Sequence, residues 1–434
     1  MELAMIVALA ILTLGSIFSF KYRQLGFYAA IVALVIGLAA CRSLYYGAFI
    51  FAIGIINLVS LKAIKSEIKG VDYGLVGLMA LATMYIFNTS DLAMVLAALV
   101  LVSVPTYILV MLREGGANVE VGIKYITFMV LATVLFLIGA IILAYTTSPH
   151  LHDDAGLLYP YAGLLYMLGY VMLVVGLSIE VGVAPLHEWV PDVFSSADPI
   201  PISIIASLAK IVPFIAALWI LISTANHLTA SITIFTAVLA AISMFTGNIG
   251  ALTSKEHARV LGYSTVANMG YVLACLVAVP LVVVIEDGID IKPELAYFAL
   301  AGGLLLLFAN AAGKIGFFNA IKGEGAYSPL MYILAFSFIG VPPLMGFWGK
   351  LFILLPLVEM RYFWLVALVV INSAISIPYY IRLASELGIG WKANLTNFIC
   401  VAVVVITLVT VAFLPVEWFL TGMKSLAQTI GVII

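Results

Sequence analysis

The stretch IEVGVAPLHEWVPDVFSSADPIPISIIASLAK, residues 179–210, decides how this chain folds. It lies between two long apolar runs, yet it carries an acid (Glu180), a lysine (Lys210) and the breaker pentad Gly182-Val183-Ala184-Pro185-Leu186. Glycine admits backbone conformations that end a helix, and proline has no N–H to continue one. A second pentad, Gly340-Val341-Pro342-Pro343-Leu344, follows later, and Pro185 and Pro343 are 158 residues apart. Each pentad runs on to a tryptophan, Trp189 and Trp348. The charge precedes the break in the first copy (Glu180) and follows it in the second (Lys350). This arrangement predicts two inverted five-helix repeats with discontinuous helices 7 and 12 near mid-membrane.

Working outward, the 434 residues are 65% hydrophobic and 9% charged. That balance excludes a soluble globular protein and predicts an all-α polytopic membrane protein. Breaking the apolar runs at charges and turn residues gives about 14 transmembrane helices. Their spans are 2–20, 25–41, 43–61, 71–88, 91–112, 122–146, 159–185, 200–223, 228–250, 258–285, 294–320, 328–355, 361–385 and 394–420. The organisation read from them is residues 1–88 (helices 1–3 and the start of the first repeat), 71–223 (first repeat, helices 4–8), 228–385 (second repeat, helices 9–13) and 394–434 (helix 14). The N-terminus lacks a basic region before its apolar run, so helix 1 is expected to be retained.

Basic residues favour the cytoplasmic side. Loops after odd-numbered segments hold twelve of them: Lys21, Arg23, Lys62, Lys65, Lys69, Arg113, Lys124, Lys255, Arg259, Lys322, Arg382 and Lys392. The other side holds four, Arg42, Lys292, Arg361 and Lys424. A prokaryotic inner (cytoplasmic) membrane with both termini on the outer side is therefore expected. His150, His152, Asp153 and Asp154, and the acids Glu286, Asp287, Asp290 and Glu294, fall on that outer side as solvated loop charges. With a net charge of −2 there is no basic face for nucleic acid. Cys41, Cys275 and Cys400 are dispersed and no Cys/His cluster occurs, so no metal or cofactor is expected in this chain. No nucleotide-binding loop occurs either, so redox chemistry is assigned to another chain.

Four ionisable residues fall inside apolar segments: Glu180, Lys210, Lys314 and Lys350. An ionised group at the bilayer centre costs from about 2.5 to more than 10 kcal/mol, so each is a functional candidate. Two readings stay open for them: static clasps between helices, or members of a proton relay. Unpaired backbone groups at a helix break can hold water and polarise a neighbouring titratable group, which favours the relay.

The 179–210 stretch also resembles the signature of the antiporter-like subunits of complex I, its hydrogenase relatives and Mrp-type sodium/proton antiporters. There the pattern is roughly K-x4-PFHxWxPDxxxxxPxPVS with a later lysine. Glu120-Val-Gly-Ile-Lys124-Tyr125, Leu261-Gly-Tyr263-Ser264-Thr-Val-Ala-Asn268-Met269-Gly270-Tyr271 and Gly346-Phe-Trp-Gly349-Lys350 extend the resemblance over residues 90–390. Tyr379-Tyr380-Ile-Arg382, and lysine rather than glutamate at 350, are most similar to the N-type member. The resemblance implies a fourteen-helix fold and proton translocation along an axis of Glu180, Lys210, Lys314 and Lys350. It implies supporting roles for Pro185, His187, Asn268, Asn310, Pro342 and Pro343. It also implies other membrane-arm subunits as partners and, through them, a peripheral iron–sulfur arm.

The departures concentrate in the first half. Glu180 stands at the family's segment 7 lysine, and Val100 at the segment 5 acid that pairs with it. Asn268 and Asn310 stand where histidines are common, and Ala258 where a basic residue is usual. Two interpretations follow: Glu180 pairs with Lys210 on the next helix and the acid–base couple survives there, which is favoured, or the first half-channel is inactive and the pair is a structural clasp. A sodium/proton antiporter subunit and a non-pumping scaffold remain the alternative functions.

Overall fold

The computed structural model describes residues 2–41, 44–64, 70–89, 91–114, 116–147, 161–225, 228–283 and 294–412. The His150/His152/Asp153/Asp154 stretch, the acids Glu286, Asp287 and Asp290, and residues 413–434 lie outside the described residues. Inside a bilayer no water satisfies backbone amides, so apolar runs close their own hydrogen bonds as helices. The helices are α1 (Glu2–Ser19), α2 (Arg23–Ala39), α3 (Leu44–Ser60), α4 (Val71–Tyr85), α5 (Leu92–Leu109) and α6 (Val119–Thr146). Then come α7 (Ala162–Val181), α8 (Trp189–Ser196), α9 (Pro199–Leu208), α10 (Ile211–Ser223), α11 (Thr229–Thr253) and α12 (His257–Val283). The remainder are α13 (Glu294–Lys322), α14 (Ser328–Ile339), α15 (Met345–Glu359), α16 (Phe363–Ile375), α17 (Ile377–Leu387) and α18 (Leu395–Ala412). Two short strand pairs lie in loops: antiparallel β1 (Leu112–Arg113) with β2 (Gly116–Ala117), and parallel β3 (Ala326–Tyr327) with β4 (Gly388–Ile389).

Each segment expected from the sequence contains a described helix. Nine helical spans among the described residues, two of them made of successive α-helices (α9 with α10, α16 with α17), are long and apolar enough to cross a membrane. The chain is an all-α, multi-pass membrane protein. Its centre is set by three spans, 199–223, 257–278 and 297–322, each 94% buried. By contrast 119–146 and 363–387 are only 33% buried and turn Ile138, Ile141, Val370 and Ile371 outward. An apolar outside around an apolar inside is the signature of a lipid solvent.

Segments 7 and 12 are broken where the pentads predict. Gly182 (φ +85) ends α7 and Gly340 (φ +90) ends α14, both left-handed. Two further joints were not expected: Ala209-Lys210 separates α9 from α10, and Ser376 separates α16 from α17. Pro213 and Pro378 follow these joints closely, and each removes one helical N–H.

Ion pairs tie loops together at one end. Asp192 holds Lys124 and, at 3.3 Å, Arg259. Lys322 meets Asp198 at 2.6 Å and Glu114 at 3.8 Å. His257 meets Glu386 at 2.8 Å, and Arg23 meets Asp72 at 3.4 Å. All these residues fall at the ends of segments that border odd-numbered loops.

Helices α6 and α7 approach through glycine. A Cβ on Gly176 would sit 2.5 Å from the Phe136 backbone nitrogen, and one on Gly139 would sit 2.4 Å from that of Leu173. Because the obstacles are backbone, Gly176→Ala should force the helices apart and destabilise the protein by about 1–3 kcal/mol. Gly163→Ala, whose Cβ would meet only Leu228 Cδ1 at 3.4 Å, should be close to neutral. Thermal unfolding of the two variants in detergent measures the contrast, and equal melting temperatures would refute the tight contact.

Candidate functional site

Glu180, Lys210, Lys314 and Lys350 are all buried, between 0% and 6% exposed. Each belongs to a helix end, a joint or the central bundle. Glu180 lies in the last turn of α7, Lys210 at the α9–α10 joint, Lys314 in central α13 and Lys350 in α15 just past the second break.

The three ammonium groups are held in one manner. Lys210 donates to the backbone carbonyl of Glu180 at 2.7 Å and lies 4.7 Å from the centre of the Trp189 ring. Lys350 donates to the carbonyls of Ile339 at 2.9 Å and Phe338 at 3.1 Å, with the Tyr271 ring at 4.6 Å. Lys314 donates to the Leu261 carbonyl at 2.5 Å and to Ser264 Oγ at 2.8 Å, with the Phe338 ring at 5.3 Å. A helix C-terminus leaves carbonyls unpaired and carries partial negative charge, so it suits a cation. An aromatic face over a desolvated cation adds about 2 kcal/mol. Lys210 and Lys350 thus satisfy the open carbonyl ends of the two broken helices, while the breaks give them anionic character without an acid.

The expected carboxylate–ammonium pair of Glu180 and Lys210 is therefore corrected. Among the described residues no ion pair within 4.0 Å joins them; Lys210 takes the main-chain oxygen of Glu180 instead. The carboxylate turns the other way, where its Oε1 accepts from Ser103 Oγ at 2.6 Å and its Oε2 lies 3.5 Å from Thr133 Oγ1. Val100 is 39% exposed on the outer face of α5, and Ser103, nearly a turn further on, is the α5 residue that meets Glu180.

Asn268 and Asn310 both lie at the centre. Asn268 Nδ2 donates to the Ser264 carbonyl at 2.8 Å and to the Tyr380 hydroxyl at 3.0 Å, and that hydroxyl lies 2.7 Å from Ser264 Oγ. Lys314, Ser264, Asn268 and Tyr380 thus form one polar cluster. Asn310, one turn before Lys314, donates to the Ala206 carbonyl of α9 at 3.3 Å. Pro185, His187, Pro342 and Pro343 follow the two glycine breaks and are at least partly exposed, whereas the lysines are buried. His187 Nδ1 is 3.3 Å from the Pro185 carbonyl and its ring packs near Tyr263.

Sequence reasoning missed Ser103, Tyr271, Phe338 and Asn57. Ser103 and Asn57 had a signal, each being an isolated polar residue within an apolar helix. Phe338 had none, although its ring faces Lys314 while its carbonyl holds Lys350. Among the described residues no group of three metal-ligating side chains occurs.

The Ser103–Glu180 contact is testable. A hydrogen bond to a buried carboxylate is worth about 1.5–3 kcal/mol, so a cycle of Ser103→Ala, Glu180→Gln and the double variant should show a coupling of about 1 kcal/mol or more. Unfolding of the purified protein measures it, and additive effects would show that the two groups do not interact.

Compared with known proteins, residues 89–376 match the family model described as NADH:quinone oxidoreductase/Mrp antiporter, TM. NADH-quinone oxidoreductase subunit N 2 of Aquifex aeolicus (strain VF5) is 30% identical over 329 residues, covering 74% of this chain and 66% of that protein. Its namesake from Solidesulfovibrio magneticus (strain ATCC 700980 / DSM 13731 / RS-1) is 30% identical over 330 residues, covering 73% and 68%. The matched stretch thus spans about two thirds of these relatives' length. A chain of respiratory complex I from Thermus thermophilus superposes with a TM-score of 0.71 at 24% identity, over 93% of this chain and 97% of that one. A chain of the archaeal membrane-bound sulfane sulfur reductase gives 0.78 at 17% identity, with full coverage of both. A chain of the Mrp complex from Dietzia sp. DQ12-45-1b gives 0.73 at 14%, over 98% and 96%. At these identities the superpositions speak for the fold alone.

Proposed function

The chain belongs to the NADH:quinone oxidoreductase/Mrp antiporter transmembrane family, and from that premise we propose that it is a proton-translocating subunit of the membrane arm of a complex I-like assembly. The observation that carries this reading is the shared setting of Lys210, Lys314 and Lys350: buried, given carbonyl and aromatic partners, and without a carboxylate within 4.0 Å among the described residues. A fixed clasp needs a permanent counter-charge to offset desolvation. Carbonyl dipoles and ring faces hold an ammonium and leave the neutral amine with compatible neighbours, as a group that gains and loses a proton requires.

In this reading protons move along Glu180, Lys210, Lys314 and Lys350, between two inverted repeats over 71–223 and 228–385. The similar left-handed endings at Gly182 and Gly340 support the repeats. Glu180 and Lys210 act together through one residue's main chain, so a charge change at either reaches the other. Redox chemistry resides in partner chains, with an iron–sulfur arm reached through neighbouring membrane subunits. The end bearing the ion pairs faces the cytoplasm and both termini lie outside.

Reconstitution of the complex isolated with this chain tests the proposal. Lys210→Ala, Lys350→Ala and Glu180→Gln should each reduce turnover-coupled proton transfer about tenfold or more, while Lys255→Ala, in a loop, should not. Full pumping by all three variants, with assembly intact, would leave the chain as a scaffold.

A further inference from the structure

The two halves of the site are not joined by any ionisable group among the described residues. Lys210 borders a small gap lined by Leu177, Val181, Phe214, Met269 and Leu307 among others, a wholly apolar lining apart from the lysine itself. An apolar gap gives water no partners and stays dry. Polar side chains instead gather at the last turn of α9, just before Lys210.

Two asparagines meet there. Asn57 of α3 is 0% exposed and donates from Nδ2 to Ser207 Oγ at 2.9 Å. Asn310 of α13 is 1% exposed and donates to the neighbouring Ala206 carbonyl. The amide orientations are fixed by their partners. Ser207 spends its own hydrogen on the Ile204 carbonyl at 3.0 Å, so its oxygen must accept from Asn57. A carbonyl can only accept, so Asn310 must donate to Ala206. Each asparagine therefore turns an acceptor oxygen elsewhere, and no described protein group donates to Asn57 Oδ1 or Asn310 Oδ1. A buried acceptor left alone is costly, and bound water is the usual donor.

We propose that Asn57 and Asn310 anchor bound water on either side of the Ala206–Ser207 turn, and that this water is the joint between Lys210 and Lys314. The inference rests on the relay reading above. Asn310 shares a helix face with Lys314, and Ala206 and Ser207 lie about one turn before Lys210, so the anchors belong to both lysines. Asn57 lies outside the matched region 89–376, on a helix that carries no ionisable member of the axis. It is a positioning residue: it holds the solvent that carries the proton.

The test has two arms on the intact complex. High-resolution cryo-electron microscopy should show ordered density within hydrogen-bond distance of both amide oxygens; dry surroundings at resolved side chains would overturn the proposal. In the second arm, Asn57→Leu should slow coupled proton transfer about two- to tenfold and raise the H2O/D2O rate ratio, with Asn57→Gln, which keeps both amide donor and acceptor, restoring much of both. Loss of transfer in Lys210→Ala alongside an unaltered rate and isotope ratio in Asn57→Leu would overturn this inference and leave the relay standing. Unaltered transfer in Lys210→Ala would remove the relay, and the inference with it. Should Asn57→Leu fail to assemble, the density at the two oxygens decides.

Discussion

A helix interrupted inside a bilayer leaves carbonyls that water cannot reach, and this chain answers that constraint with lysine. The breaks after Val181 and Ile339 each expose main-chain oxygens in a central, almost fully buried region. Lys210 and Lys350 close them. Each partner would be costly alone, the bare carbonyls because they are desolvated and the ammonium groups because they are charged. Together they make sites in which a positive charge is held by main-chain oxygens, with no carboxylate within 4.0 Å among the described residues. The burial of α9, α10, α12 and α13, the aromatic floors and the polar cluster at Ser264 all follow from accommodating these groups.

The two halves use this device differently. In the second, Lys350 takes its carbonyls from residues with neutral side chains, and Lys314 rests in a hydroxyl and amide cluster. In the first, the residue that offers its carbonyl to Lys210 is itself an acid. Glu180 thus presents two faces: a main-chain oxygen towards the lysine and a carboxylate towards Ser103. No ion pair joins the two side chains; two titratable groups stand back to back on the main chain of position 180.

The fold was legible because its determinants are local. Apolar runs, loop charges and the Gly-Val-x-Pro-Leu pentads act on their own neighbourhoods, and the structure puts helices and left-handed glycines where they predict. The joints at Lys210 and Ser376 were missed because the prolines that permit them, Pro213 and Pro378, stand a few residues downstream within continuous apolar text. The identities of the buried charges were also legible, but their partners were not. Val100 faces outward on α5, and it is Ser103 that helix rotation presents to Glu180. Asn57 reaches Ser207 across 150 residues of sequence, a contact that only the packing of α3 against α9 creates.

Phe338 shows what such packing adds. Its ring stacks on Tyr380 at 4.9 Å and faces one lysine, while its carbonyl receives another. It has nothing to titrate, yet it cannot shift without being felt at both ammonium groups. Its ring and its main chain thus serve two different cations, and one side chain's packing sets a boundary for both. The neighbourhood of Lys314 and Lys350 is therefore shaped by a residue that an inventory of acids and bases would never include.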